Sequence, residues 1–235
     1  MTISDPINSN LYRRFDTQHS PQNDEIIKNA LIEYYDNGCL MKSSFDRIAK
    51  KCGISRTSLY YRFNSKNKLT SAVYFYIGDR IHKKVSEKML RHNGSYNFQT
   101  LTVISRYIEL LQFKEDPKAA RFYKEYHDTN FNDIYEDQSI SYPFYEMHND
   151  IYQLNLSVDE IKIMGTLTEA SITSFMLLYF SGQISIPFEE AAKRILSIPF
   201  DQMNLPKEQS NEIIEYSLDL FNAIGFKILP YFDIE

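Results

Sequence analysis

The stretch from residue 43 to residue 68 restricts the fold of this chain more than any other part of it. Its first apolar residues recur at positions i, i+3, i+4 and i+7, as on one face of a helix: Phe45, Ile48, Ala49 and Cys52. Ser43, followed three residues later by Asp46, resembles the capping box that begins a helix. Gly53 can adopt the left-handed conformation that ends one. The pattern therefore predicts a short helix followed by a tight turn.

A second short helix is predicted after this turn. Ser55 is a good N-cap, and Leu59 and Phe63 lie one turn apart and face inward. The opposite face then carries two cations, two hydroxyls and two phenols: Arg56, Thr57, Ser58, Tyr60, Tyr61 and Arg62. Hydroxyls and phenols can contact phosphate oxygens, and arginine can bind guanine O6 and N7. Ser65 would cap a further helix with Lys66 in its first turn, so the whole predicts a helix-turn-helix reader of DNA.

The charge of the stretch 43–68 favours the same function. It contains one acid, Asp46, and seven basic residues, so that seven minus one gives +6: Arg47, Lys50, Lys51, Arg56, Arg62, Lys66 and Lys68. Residues 1–90 have a net charge of +6 and the remainder −11, for a total of −5. A basic N-terminal part followed by an acidic part is typical of a protein whose N-terminal part binds phosphate groups. The alternative is a solvated basic face without a partner.

Several motifs together resemble the DNA-binding domain of the tetracycline-repressor (TetR) family. They are Ile48-Ala49, Cys52-Gly53-Ile54-Ser55, Ser58-Leu59-Tyr60-Tyr61-Arg62-Phe63, Ser65-Lys66 and Leu69. The likeness extends back through a first helix and its terminating glycine: Ile26-Ile27, Ala30-Leu31, Tyr34-Tyr35 and Gly38. The resemblance implies an all-α fold, in which a three-helix head precedes a larger helical domain for ligand binding and dimerisation. It also implies a pseudo-palindromic double-stranded DNA operator.

The resemblance also implies roles for single residues. Ser44, Ser58, Tyr61 and Lys66 would bind phosphates, and Arg56, Thr57 and Tyr60 would approach base edges. With the cap Ser43 and with Arg62, these are the predicted DNA-binding residues. The family often has glycine where Thr57 stands and histidine where Arg62 stands. Both positions lie near the expected DNA surface, so the operator sequence does not carry over.

The chain divides by composition into a tail, a head and a body. We predict a flexible tail over 1–21, a DNA-binding domain over 22–82 with its helix-turn-helix motif at 44–63, and a regulatory and dimerisation domain over 83–235. Arg13-Arg14 in the tail could enter a minor groove, or the tail could be an ordinary disordered segment. No apolar run precedes the first helix, and the two cysteines, Cys39 and Cys52, suit a reducing cytoplasm.

From about residue 95 onward the sequence predicts helices throughout, without a strand pattern. The predicted ranges are 97–113, 117–137, 141–154, 158–181, 187–197 and 208–228, with Pro117, Pro143, Pro187, Pro199 and Pro206 at starts or connections. The apolar segment from Ile161 to Phe180 contains Lys162 and Glu169, which argue against a membrane span. We expect this helix to be buried on most sides. Together with the last helix it could form a four-helix interface in a homodimer, or both could be buried within one chain.

Aromatic residues are dense between residues 98 and 152. The candidate ligand-binding residues in the body are Tyr107, Phe122, Tyr123, Tyr126, Tyr145 and Phe175. They would suit an aromatic or cationic small molecule, although core packing is the alternative for aromatic residues at helical spacing. His127 and His148 do not stand in a ligand-spaced cluster, so no metal site is predicted.

Three classes of function remain open. The first is a cytoplasmic regulator, a repressor that a small molecule releases from its operator. The second keeps the DNA-binding head but uses the body for a protein partner. The third, an enzyme, is not expected, because the sequence contains no phosphate loop, G-x-S-x-G or H-E-x-x-H motif. No cofactor is predicted.

Overall fold

A computed structural model describes residues 21–38, 45–129 and 141–235 of the chain. Residues 1–20 of the predicted tail, Cys39, Ser43 and Ser44 lie outside the described residues, whereas Pro21 begins the first helix. Within these ranges the chain forms ten α-helices and two short strands. They are α1 (Pro21–Asn37), α2 (Phe45–Lys51), α3 (Arg56–Phe63), α4 (Lys66–Asn93), α5 (Phe98–Glu115), α6 (Pro117–Thr129), α7 (Ser141–Tyr152), α8 (Val158–Phe180), α9 (Phe188–Gln202), α10 (Lys207–Ile224), β1 (Ile228–Leu229) and β2 (Asp233–Ile234). The predicted all-α class is confirmed.

The described residues pack as two compact units. The head unit contains residues 21–38, 45–84, 111–129 and 227–235, and the body unit contains residues 85–110 and 141–226. α6 and the two strands therefore belong to the same unit as α1, α2 and α3, although they follow far behind them in the sequence. The domain bounds drawn from the sequence at 82 and 83 stay a prediction.

The predicted turn between the first two short helices is present in the head unit. Gly53 has a φ of +65°, and the amide of Ile54 donates to the carbonyl of Ala49 at 3.0 Å, which closes the end of α2. Ile48, Leu59 and Phe63 are fully buried. The inward-facing residues predicted from helical spacing thus hold α2 and α3 in the helix-turn-helix arrangement.

α8 begins with a capping box in the body unit. The amide of Glu160 donates to Ser157 Oγ at 3.3 Å, and the amide of Ser157 donates to Glu160 Oε2 at 2.7 Å. Glu160 is exposed, and its bonds to the Ser157 hydroxyl and amide lower the pKa of its carboxyl. α8 packs against α7 and α9.

The expectation that α8 is buried on most sides was wrong. Ile163 is 58% exposed and Leu167 is 48% exposed, and Leu178 near the end of the helix is also exposed. Only one face of α8 is covered, because α7 and α9 both pack on that side. Among the described helices α8 alone is long and apolar enough to cross a membrane, which is weak evidence for a span. Its covered face pairs the carboxylate of Glu169 with Arg106.

Two expectations about the end of the chain were also wrong. Pro199 lies inside α9 rather than at a connection, and the helix continues to Gln202 because Leu196 and Phe200 anchor it in the core on both sides of the proline. The last helix ends at Ile224 rather than residue 228, since Gly225 adopts the left-handed conformation with a φ of +74°. The segment after it forms the β1–β2 hairpin, so the body sequence is not helical throughout.

Candidate nucleic-acid interface

α3 is positioned by its cap and by its buried face. The side chain of Ser55 accepts a hydrogen bond from the amide of Ser58 at 3.0 Å, and the two hydroxyls lie 2.9 Å apart. Leu59 and Phe63 anchor the helix in the core of the head unit. The hydroxyl of Ser58 is therefore held at the beginning of the helix, where it remains exposed.

The opposite face of α3 is exposed, as the sequence predicted. Tyr61 is 89% exposed and Tyr60 is 41% exposed, and Arg56 and Thr57 are exposed as well. Tyr60 leans on the buried ring of Phe45 in α2, with ring centroids 4.6 Å apart in an edge-on arrangement. This face presents phenol, hydroxyl and guanidinium groups, which can hydrogen-bond to phosphates and base edges.

The guanidinium of Arg56 has two neighbours within the head unit. It donates to the hydroxyl of Tyr60 and to the carboxylate of Asp46, both at 3.4 Å. Its carbon lies 5.4 Å from the centre of the Tyr60 ring. The bond to Tyr60 and the charge of Asp46 raise the pKa of Arg56, so the group remains a cation. These long contacts hold the guanidinium over α3 while leaving it exposed to a partner.

Arg62 does not join the exposed groups of α3. Its guanidinium donates to Asn23 Oδ1 at 2.8 Å and to the side-chain oxygen of Gln22, both at the beginning of α1. The side chain therefore connects α3 to α1. Sequence spacing alone placed Arg62 on the DNA side of the helix, and it could not show this contact across 39 residues.

Lys66 stands in the first turn of α4, where the sequence placed it. The hydroxyl of Ser65 accepts from the amide of Lys68 at 3.1 Å, which confirms the predicted cap. Lys66 is half-buried, whereas Lys68 is exposed. The remaining predicted DNA-binding residues, Ser43 and Ser44, lie outside the described part of the chain.

Glu33 is a functional candidate that the sequence reasoning missed. Its carboxylate on α1 is 1% exposed, with Arg47 Nε 3.3 Å from Oε1 and Lys51 Nζ 2.8 Å from Oε2. The Arg47 contact is an ion pair without hydrogen-bond alignment, since no hydrogen bond to Oε1 is formed. The sequence signal that could have identified Glu33 is its position, since it is an acid within the apolar stripe of the first helix. Two of the seven cations in the basic stretch thus balance a buried carboxylate and fix α2 to α1.

Three of the six candidate ligand-binding residues form part of the core of the head unit. Phe122, Tyr123 and Tyr126 are at most 1% exposed. Tyr126 stacks on Tyr74 with centroids 4.2 Å apart, and the hydroxyl of Tyr123 donates to Gln112 at 2.8 Å. Dense packing against other rings explains these three residues without a ligand.

The other three candidates lie in the body unit. Tyr107 packs edge-on against Phe221 at 5.0 Å, and Phe175 is half-buried on α8. The hydroxyl of Tyr145 is paired with Thr168, and burial raises the pKa of this phenol well above its usual range. The six candidates are therefore divided between the two units rather than gathered in one of them.

A small cavity lies in the body unit beside these aromatic residues. Its volume is about 30 Å³, and it is lined by Thr102, Val103, Arg106, Phe144, Ile195, Leu196, Pro199 and Phe200. The hydroxyl of Thr102 is buried without a hydrogen-bond partner. Arg106 pairs with Glu109 at 2.6 Å and with Glu169 at 3.2 Å. The site combines apolar walls with a hydroxyl and a guanidinium, which suits a small molecule with one polar end.

The two histidines of the middle region do not form a metal site within the described ranges, where no group of three potential ligands occurs. His148 is fully buried, and its Nδ1 lies 2.6 Å from the carbonyl of Phe144. Its Nε2 lies 3.1 Å from the side-chain nitrogen of Gln99, so the ring accepts there. Burial lowers the pKa of His148 to about 4, and the imidazole is therefore neutral near pH 7.

Part of the chain matches a known family of proteins. Residues 41–73 match the family model described as bacterial regulatory proteins, tetR family. No curated protein matches the chain. A TetR-family transcriptional regulator from Rhodococcus sp. is similar in structure, with a TM-score of 0.43 and 15% identity over 77% of this chain and 98% of the other. A second, from Mesorhizobium loti MAFF303099, has a TM-score of 0.34 and 13% identity over 79% of this chain and 98% of the other.

The matched residues 41–73 include α2, the turn at Gly53 and α3, and they end within α4. They are the segment whose caps, glycine turn and exposed face were derived above from physical reasoning. The assignment thus depends on the family model and on the local geometry together. The segment that contains α2 and α3 is thus a helix-turn-helix similar to that of bacterial regulatory proteins of the tetR family.

Proposed function

We propose that the protein is a cytoplasmic, homodimeric repressor that leaves its operator when a small molecule binds in the body unit. The observation that carries the DNA-binding part is the exposed face of α3, on a helix fixed by Ser55, Leu59 and Phe63. Arg56, Thr57 and Tyr60 would approach base edges in the major groove. Ser58, Tyr61 and Lys66 would bind phosphates. Arg62 would contribute indirectly, by holding α3 against α1.

The exposed face of α8 supports a homodimer. At 3.6 residues per turn, Ile163, Leu167 and Leu178 fall within an arc of about 60°. Ser174 also falls within this arc, and Glu160 in the first turn of the helix lies at its edge. A helix face of this kind permits close approach of a second copy of the same helix. A two-fold dimer would place the two copies of α3 in successive major grooves about 34–36 Å apart.

The cavity beside Thr102 and Arg106 supports the small-molecule part of the proposal. An unpartnered buried hydroxyl is a costly feature, and a ligand with a hydrogen-bonding group would offset this cost. A ligand would lower DNA affinity if it bound more tightly to a conformation in which the two copies of α3 are differently spaced.

The size of the cavity also favours a second possibility. A volume of about 30 Å³ holds roughly one water molecule, whereas drug-sized ligands need about 300–1,000 Å³. A larger molecule would have to open the body unit, which costs packing energy. The alternative is a DNA-binding regulator whose body unit binds a protein partner instead, and the apolar face of α8 would then be the contact surface.

Selection of duplex DNA from a random-sequence pool by the intact chain tests the proposal. We expect enrichment of a pseudo-palindrome whose half-sites are about one helical turn apart, or a multiple of that distance. The affinity should fall steeply with salt, because phosphate contacts release counterions. A chain that enriches no sequence, or binds without salt dependence, would contradict the DNA-binding part. For the ligand part, a compound that binds the body unit tightly yet leaves operator affinity unchanged would contradict release by an inducer.

A further inference from the structure

The last residues of the chain form a hairpin that packs in the head unit. Ile228 pairs with Ile234 and Leu229 pairs with Asp233 in antiparallel register. The amide of Lys227 and the carbonyl of Glu235 extend this ladder at 2.8 Å. The hairpin is thus closed by backbone bonds from residue 227 to residue 235, and its position must come from contacts with the helices of the head unit.

Phe232 anchors the hairpin in the aromatic core. It is 1% exposed, and its ring centroid lies 5.0 Å from Phe122 and 5.5 Å from Tyr123 of α6. It also contacts Tyr35 of α1 at 5.6 Å. A buried ring in contact with two helices stabilises their packing against each other. This side chain therefore joins the hairpin to both α1 and α6.

Polar contacts join the hairpin to α4. Lys84 Nζ lies 2.5 Å from Asp233 Oδ1, and the guanidinium of Arg80 lies 3.4 Å from the same atom. Arg80 also donates to the carbonyl of Tyr231 at 2.8 Å, and Lys84 to that of Ile234 at 3.1 Å. Partial burial would raise the pKa of Asp233, but the bonds from Lys84 and the Ile234 amide and the nearby charges lower it overall.

Tyr231 joins the hairpin to the end of α1. Its ring lies 4.4 Å from that of Tyr35, and its hydroxyl donates to Asp36 Oδ1 at 3.3 Å. Tyr231 and Phe232 both have positive φ, 62° and 55°, which non-glycine residues adopt at a cost. Such a turn persists where surrounding contacts determine it, as the contacts with α1, α4 and α6 do here.

α1 and α4, which contact the hairpin, are themselves connected to α3. Arg62 connects α3 to the beginning of α1, and only Asn64 and Ser65 separate α3 from α4. On the other side, residues 225–227 alone separate the end of α10 from β1. α10 belongs to the body unit and the hairpin to the head unit. A short covalent connection thus runs from a body helix to contacts on α1 and α4.

We propose that the C-terminal hairpin is a strap that positions α1 and α4 for operator binding and transmits changes in α10 to the DNA-binding head. This inference rests on the proposed DNA-binding function. It assigns Tyr231, Phe232 and Asp233 the role of positioning residues, since they act through α1 and α4 rather than by contact with DNA.

The positioning part is tested with Asp233→Asn in the full chain, using duplexes selected from a random pool by the intact protein. Loss of the charge weakens the contacts with Lys84 and Arg80, and we expect operator affinity to fall about fivefold. Affinity for unselected duplex and its salt dependence should not change, because no phosphate contact is lost. Hydrogen exchange of α1 and the first half of α4 should accelerate, and Asp233→Glu should restore affinity in part. Glu235→Gln, an exposed acid in the same hairpin, is the matched control and should behave as the parent chain.

The transmitting part is tested by inserting a flexible Gly-Ser linker between Phe226 and Lys227. The hairpin can still dock on the head, so operator affinity and hydrogen exchange of α1 should stay near those of the parent chain. If changes in α10 alter DNA binding, DNA binding must alter α10 to the same extent, because coupling between two sites is reciprocal. In the parent chain, operator DNA should therefore slow hydrogen exchange in α10. In the linker variant this slowing should be lost. Equal slowing of α10 exchange by operator DNA in both proteins would overturn the transmitting role.

Failure of this inference can be told apart from failure of the proposed function. If the intact chain selects no duplex, the DNA-binding proposal fails and takes the positioning role with it. If the intact chain binds its selected duplex and Asp233→Asn binds equally well with unchanged exchange in α1, the positioning role alone is overturned. If operator and unselected affinity fall together in Asp233→Asn, the hairpin serves general stability and the positioning role is again overturned.

Discussion

α3 and α8 each leave one face exposed, and the two faces differ in chemistry. The face of α3 carries phenols, hydroxyls and the guanidinium of Arg56, each of which can hydrogen-bond to a polar partner. The face of α8 carries Ile163, Leu167 and Leu178, with Ser174 between them and Glu160 at its beginning. The first face suits a hydrated, anionic surface, and the second suits another apolar helix. Under the proposed function, the chain would thus separate DNA contact and protein contact onto two helices, one in each unit.

The two units also use their charges differently. In the head unit, half-exposed cations pair with acids on neighbouring elements, as Lys51 pairs with Glu33 of α1 and Lys84 with Asp233 of β2. In the body unit, Arg106 is buried together with Glu109 and Glu169. A pair in which the cation is half exposed costs less desolvation than a cluster buried on all sides, which requires complete satisfaction of its members. Changes in the head should therefore alter orientation and DNA binding, and changes in the body should alter stability and assembly.

The largest expected effect is on assembly. Leu167→Asp would place a carboxylate in the centre of the apolar arc of α8. Burying one leucine is worth about 1.5–3 kcal/mol, and a two-fold interface contains it twice, so dimer affinity should fall by about 100-fold or more. Analytical ultracentrifugation over a concentration series measures this change.

Lys162→Asp is the control for that experiment. Lys162 is exposed on the same helix but lies outside the arc, so the dimer should persist. A Leu167→Asp chain that dimerises like the parent would show that the α8 face has a different occupant. The exposed face of α8 would then bind a different protein rather than a second copy of this chain.

The second expected effect is on the pH dependence of stability. Burial lowers the pKa of His148 from 6.5 to about 4. Between these values the unfolded chain binds a proton that the folded chain does not, so stability falls as the pH falls from about 6.5 to 4. The full difference is about 3 kcal/mol at 1.36 kcal/mol per pKa unit.

Urea unfolding at pH 7, 6 and 5 measures this contribution. His148→Gln should show a shallower decline in the free energy of unfolding than the parent chain, by about 2 kcal/mol at pH 5. The difference between the two chains removes the contribution of all other titrating groups. Parallel pH profiles would mean that the imidazole is protonated in the folded body unit.

The third expected effect concerns α2 in the head unit. Glu33→Gln keeps the shape of the side chain but leaves Arg47 and Lys51 without their carboxylate. Both cations are about half exposed and can regain water, so we expect a loss of about 1–2 kcal/mol, below the cost of breaking a fully buried pair. Chemical unfolding measures the loss, and Glu25→Gln on the exposed side of α1 is the control. If the two variants are equally stable, the ion pairs of Glu33 contribute no more to stability than a contact at the surface.

Glu33 also shows where sequence reasoning succeeded and where it could not. Local features were predictable, because Gly53, Ser55 and Leu59 act through contacts within one or two turns. The partners of Glu33 lie 14 and 18 residues away, and those of Asp233 about 150, and no periodicity encodes such pairs. The exposure of α8 was missed for a different reason, since an apolar helix looks the same in sequence whether its own chain or a second copy covers it. The aromatic residues of α6, predicted as ligand-binding, lie in the core of the head unit, and sequence could not separate the two roles because core and pocket share the same composition.

The smallest expected effect is on the salt dependence of DNA binding. Lys66→Ala should weaken operator binding modestly and reduce the slope of log affinity against log salt by about one unit, as the loss of one phosphate contact requires. Lys193→Ala, a half-exposed lysine of the body unit paired with Glu215, should leave the slope unchanged. A titration at four salt concentrations separates the two results. An unchanged slope in Lys66→Ala would remove this residue from the phosphate contacts, and it would confine the DNA surface of the described head to α3 itself.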